Sequence, residues 1–160
     1  MRKIRGFVEL KKWERGRLLW TRTAENLIVN SALPLIANLV GGAAGTNLIG
    51  VVGFGSGSAA PQVTDTDITA PAYYKAIASV TYPSAGQAQF TWSLTGAGDA
   101  SAVGMTATEL AFYANTGSVS LPVWRPSGTA PSLTMYAHIL LNVGVIASGG
   151  SYTGTWTFVA

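Results

Sequence analysis

The chain has 160 residues, a formal net charge of +3, no cysteine and only 11% charged residues, against about 25% in ordinary soluble domains. That length can bury the core of one domain of common size, and the missing thiols exclude a disulfide framework and a thiolate metal site. So few charges over a large surface favour association, and the expectation is a subunit that meets other proteins.

The charges are also unevenly placed. Arg2, Lys3, Arg5, Lys11, Lys12, Arg15, Arg17 and Arg22 stand against Glu9 and Glu14, which makes the stretch before Ala24 +6. Lys75 and Arg125 stand against Glu25, Asp65, Asp67, Asp99 and Glu109, which leaves the remainder at −3. This predicts a basic arm, residues 1–25, on a body, residues 26–160, with arm-to-body or head-to-tail docking between opposed fields. The start, Met1-Arg2-Lys3, runs into Glu9, Lys11 and Lys12 before any apolar run of signal-peptide length, so no secretory signal is expected. Residues 26–64 are uncharged but broken by Asn30, Pro34, Asn38, Gly41, Gly42 and Asn47, so no membrane span is expected either.

In chain order, Phe7-Val8-Glu9-Leu10 and Leu18-Leu19-Trp20-Thr21 flank Glu14-Arg15-Gly16-Arg17, and Gly16 suits the positive φ of a tight turn. The segment reads as a β-hairpin, either solvated or laid on a neighbour. Ser31 can cap a short helix with Pro34 in its first turn. Leu35, Ile36, Leu39 and Val40 would form its apolar stripe, and Gly41-Gly42 its end.

Beyond Thr46 apolar runs rich in Val, Ile, Thr and aromatics recur between Gly, Pro, Ser and Asp clusters, which predicts strands over 48–54, 73–82, 88–94, 105–113, 119–124, 133–146 and 153–159. Phe90, Trp92 and Leu94 alternate with Thr91 and Ser93, and Trp156 and Phe158 alternate with Thr155 and Thr157, so each strand has one core face. The 133–146 run is long enough to require a bend, expected at Asn142-Val143-Gly144. The fold class is all-β, a β-sandwich or jelly-roll-like body with one short helix and an N-terminal β-hairpin arm.

Chemistry-bearing motifs are sparse. Gly53-Phe54-Gly55-Ser56-Gly57 lacks the Lys-Ser/Thr pair and following helix of a phosphate loop, and reads as a structural turn at a strand end. Asp65-Thr66-Asp67 could give two oxygens to calcium, which needs six to eight, or serve a turn. His138, the only histidine, has no partner identifiable along the chain. Glu109 sits in apolar Thr108-Glu109-Leu110-Ala111-Phe112 and would need Arg125, Lys75 or backbone amides if buried. No catalytic constellation is visible, and neither enzyme activity nor a cofactor is expected; an enzyme would need a cleft joining Glu109 or the Asp65/Asp67 pair to His138. Tyr73, Tyr74, Trp92, Tyr113 and Trp124 could fill a core or stack on sugar rings. The arm carries no RNA-binding aromatic signature, so nucleic acid is not the expected partner.

Asn26-Leu27-Ile28-Val29-Asn30, Ala32-Leu33, Gly53-Phe54-Gly55-Ser56-Gly57, Pro61, Asp65-Thr66, Thr108-Glu109-Leu110-Ala111-Phe112-Tyr113 and Asn115-Thr116-Gly117 follow one another in an order that resembles tailed-bacteriophage virion proteins, notably tail-collar and tail-fibre modules and small head accessory proteins. The resemblance implies a virion structural protein, a capsid decoration or cement protein bound to the major capsid protein or other virion proteins. A homotrimer is the expected assembly. A tail, collar, baseplate or fibre component is the alternative, and a host-glycan-binding module a further one. On this reading, removing residues 1–22 is expected to weaken docking and leave the body folded.

Overall fold

The computed structural model describes residues 4–40, 48–114, 120–127 and 131–159. Strands β1 (Arg5–Glu14) and β2 (Arg17–Ile28) form the expected hairpin. Arg15 and Gly16 at its tip have φ of 49° and 75°, the two successive positive values of a turn whose twist matches that of the flanking strands. Helix α1 (Ala32–Val40) follows. The Ser31 hydroxyl ties its start to the sheet by donating to the Met135 carbonyl at 2.8 Å. Leu35 is buried and Ile36 half-buried, while Gly41-Gly42 lie outside the described residues.

The remaining elements are β3 (Ile49–Gly55), β4 (Ala72–Ala76), β5 (Ser79–Thr81), β6 (Gln87–Thr95), a 3-10 turn at Ala100–Ala102, β7 (Thr106–Ala114), β8 (Val123–Arg125), β9 (Thr134–Val145) and β10 (Gly150–Val159). The protein is all-β. Its strands form a single ten-stranded sheet in the order β5-β6-β10-β1-β2-β9-β7-β3-β4-β8, antiparallel at every pairing. Where two separate sheets were expected, one continuous sheet curls on itself with β2 as the shared strand.

The inner faces of the two halves meet in an aromatic core. Trp156 of β10 stacks on Phe112 of β7 with centroids 4.3 Å apart, and Trp92 of β6 meets Phe112 edge-on at 5.3 Å. Phe90, Trp92 and Leu94 are buried while Ser93 is exposed, as their alternation predicts. Such aromatic contacts bury large areas and add geometric preference to the burial.

Three strand expectations change. The 73–82 run is interrupted after Ala76, because β4 belongs to one half of the sheet and β5 to the other. The chain must cross between halves there. In β9 the bend expected near Gly144 exists as a register shift: Ala107 pairs with Gly144 and Glu109 with Leu140, so two residue steps on β7 face four on β9, and Gly144 takes φ 82°. The 119–124 strand shrinks to β8, since Pro122 has no amide hydrogen to give a ladder, and Val119 lies outside the described residues.

The largest correction concerns the arm. β1 is paired on both sides, with β10 from Arg5 to Glu14 and with β2 from Gly6 to Glu14, and Val8 and Leu10 are buried in the main core. β1 is therefore a central strand, with β2 paired along one side of it. Deleting residues 1–22 would uncover the core and cannot leave an intact body.

Candidate functional site

The half of the sheet built from β9, β7, β3, β4 and β8 is covered on both faces. Its outer face carries Val29, Val51, Ile68, Ala72, Tyr74, Ala111, Tyr113 and Met135 as a second buried cluster. The covering piece is the connection from β3 to β4, residues 56–71, which has no regular structure. A connection this long usually has a function of its own. Here polar side chains from four strands hold it down.

Glu109 is the central fastener. Its Oε1 accepts from the Gly57 amide at 2.7 Å and from the Thr69 amide at 2.6 Å, one near each end of the loop. Its Oε2 meets His138 Nε2 at 2.8 Å, and the opposite ring nitrogen, Nδ1, meets Asp65 Oδ2 at 2.7 Å. Both partners of the imidazole are carboxylates, so a doubly protonated ring donating to each satisfies every atom. Burial opposes the charge on His138, but the bonds and attraction from Glu109 and Asp65 prevail and hold its pKa above the ordinary value. Burial likewise works against Glu109, and His138 with the Thr69 and Gly57 amides outweighs it, so its carboxyl lies below the usual range. For Asp65 burial is overcome by the Gln62 amide and His138, with the same downward result.

A second group surrounds Asp67. Its Oδ1 accepts from the Tyr74 and Tyr113 hydroxyls, each at 2.8 Å, and its Oδ2 from Arg125 Nη1 at 2.6 Å. Arg125 Nη2 reaches the Ile68 carbonyl at 2.7 Å. A third group joins the two halves of the sheet. Asp99, just past β6, accepts from Lys75 Nζ, the Tyr73 hydroxyl and the Thr95 amide. Burial raises its pKa, and Lys75, the amide and Tyr73 together bring it below the ordinary value.

The glycines of the 53–57 motif make room for this arrangement. A Cβ on Gly55 would stand 2.6 Å from Glu109 Oε1, one on Gly57 would overlap the same carboxylate, and one on Gly53 would crowd Ile68 and Tyr113 at 2.8 and 2.9 Å. The motif is thus a close-approach device for a buried acid. Glu109 finds the backbone amides that its apolar setting demanded, whereas Arg125 and Lys75 serve Asp67 and Asp99. The junction of Glu109 and Asp65 with His138, the one an enzyme would need, is present, whereas the pairing of Asp67 with two tyrosines escapes sequence reasoning. The signal for the former was the lone histidine in an apolar strand, which requires polar partners once buried.

An acid–histidine–acid chain could relay a proton, but here both ring nitrogens are engaged and Glu109 and His138 are 2% and 5% exposed. The surface grooves lie elsewhere. One of about 510 Å³ lies over Phe7, Glu9, Thr23 and Thr157. Another, of about 520 Å³, is almost wholly apolar, lined by Ile36, Leu48, Val80, Tyr82, Phe90 and Phe158 among others. Of the oxygens that calcium would need, Asp65 Oδ2 and both oxygens of Asp67 are occupied by internal donors. Among the described residues no group of three His, Asp or Glu could hold a metal ion.

The residues expected to dock remain on the hairpin. Arg5 faces Glu25 at 3.9 Å and Lys11 faces Glu9 at 2.7 Å. Lys12 lies over the Tyr152 ring at 5.5 Å and Arg22 over Trp20 at 4.5 Å. Arg15 and Arg17 flank the tip and are exposed. Arg2 and Lys3 fall outside the described residues. Of the aromatics considered for sugar stacking, Tyr73, Tyr74, Trp92 and Tyr113 are core residues, and Trp124 is 37% exposed. Of the acidic residues set against the arm, Asp65, Asp67, Asp99 and Glu109 are engaged internally and Glu25 faces Arg5 on the surface. No helix among the described residues is long and apolar enough to cross a membrane. Comparison with protein-family models, curated proteins and solved structures finds no match to this chain.

Proposed function

We propose that this chain is a non-enzymatic structural subunit of a tailed-bacteriophage particle, a decoration or cement protein that binds the assembled head. The observation that carries the reading is how the carboxylates are used: Asp65, Asp67, Asp99 and Glu109 each fasten a loop or a sheet half, none of them lining the grooves described above. What the surface offers instead is contact area, with an apolar groove at one end and a basic hairpin at the other. The phage-like order of motifs supplies the setting, with the major capsid protein as partner and a homotrimer as the binding unit. A protein that binds only the assembled shell stabilises it by mass action.

Immunogold labelling of intact particles of the encoding phage tests this. Label on heads supports the decoration role, label on tails moves the protein to the collar, baseplate or fibre, and particles without label overturn the virion reading. Size-exclusion chromatography with light scattering tests the trimer, which a monodisperse monomer at high concentration would remove.

A further inference from the structure

The hairpin has a property that the loop-covered half lacks. β2 is paired with β1 along its length but with β9 only at Leu27 and Ile28, a contact prolonged by the Val29 amide donating to the Tyr136 carbonyl at 3.2 Å. From there back to the tip the two strands part. Residues 17–26 thus present a strand edge with no pairing among the described residues, about 30 Å long at the usual rise per residue. The segment contains no proline, and Leu18 and Leu19 are 42% and 38% exposed. An edge of this kind is a template for another strand.

Its charge selects the occupant. Lys12, Arg15, Arg17 and Arg22 have no carboxylate within ion-pair distance among the described residues, the ion pairs of the hairpin being Arg5 with Glu25 and Lys11 with Glu9. Arg22 also holds a buried Nη1 without a hydrogen-bond partner. A second copy offers an edge with the same excess of cations, since its Asp65, Asp67, Asp99 and Glu109 are engaged internally and Arg17 and Arg22 outnumber Glu25 along β2.

We propose that the free edge of β2, residues 17–26, is a strand-addition site for an extended acidic segment of a different protein. Main-chain hydrogen bonds to the edge supply affinity, and the cations beside it select acidic side chains. The inference is independent of the virion reading.

The test uses the full chain and a fluorescein-labelled decapeptide of alternating glutamate and valine, read by anisotropy and by amide hydrogen exchange. The expected result is salt-sensitive binding that slows exchange in residues 18–25. Arg15→Ser combined with Arg17→Ser should weaken it about tenfold, and the peptide with lysine for glutamate, or with proline for alternate valines, should not bind. Equal binding of the lysine peptide, or binding without slowed exchange in β2, overturns the proposal. A Thr21→Cys variant that forms a disulfide dimer, with β2 protected by concentration alone, overturns it in favour of a second copy. Particles without immunogold label would remove the virion role and leave this result standing, and the reverse also holds.

Discussion

The two halves of the sheet treat charge in opposite ways. Around β7, β9 and the 56–71 loop, Asp65, Asp67, Glu109, Arg125 and His138 are bonded to one another or to backbone groups beneath a covering segment. Around the β1–β2 hairpin the cations are numerous, half-exposed or exposed, and mostly without acidic partners. Buried charge needs partners, and among these five residues only Arg125 Nε is buried without one, so the first region is organised to hold itself together. Exposed unpaired charge contributes little to stability and can steer an encounter, so the second is free to meet a partner.

Glu109→Ala should break this contrast most severely, because it strands a buried imidazole and two loop amides at once. The expected loss is about 3–5 kcal/mol in urea unfolding, with faster proteolysis in the 56–71 loop. Gly57→Ala attacks the same point through volume alone, and overlap with the Glu109 carboxylate should cost about 1–3 kcal/mol.

The pH dependence of the unfolding midpoint sharpens the comparison without changing the loop's shape. His138 has a raised folded pKa, so its contribution is complete below about pH 6.5 and lost as pH rises through the folded value. Asp65, Glu109 and Asp99 have lowered values, so theirs is complete above about pH 4.5 and lost as pH falls through the folded values. Stability should be greatest between about pH 4.5 and 6.5, and His138→Gln should flatten the alkaline decline. At the other end of the scale, Arg15→Ser with Arg17→Ser should leave unfolding within about 0.5 kcal/mol of the parent at every pH. A large loss there would mean that the hairpin cations are structural after all.

Part of this could be read along the chain. The alternation of Phe90, Trp92 and Leu94 marks a core face whatever the neighbouring strand, and Gly16 marks a turn because its backbone conformation is a local matter. Glu109 in an apolar run demands backbone or side-chain partners by desolvation alone. The virion setting rests on the order of short motifs, which the fold neither needs nor forbids.

The sequence by itself determined most of the strands, the all-β class, the need of Glu109 for polar partners in its apolar run and the concentration of cations before Ala24, because each depends on residues within a few positions of one another. Only the tertiary structure decided that the basic hairpin occupies the middle of the sheet, that Asp65 and His138 meet across 73 positions, and that β2 leaves β9 to keep an edge free. Those outcomes depend on which strands become neighbours when the sheet curls. That choice is made by the packing of Trp156, Phe112 and Trp92 across the interior, between groups that periodicity along a single strand cannot connect.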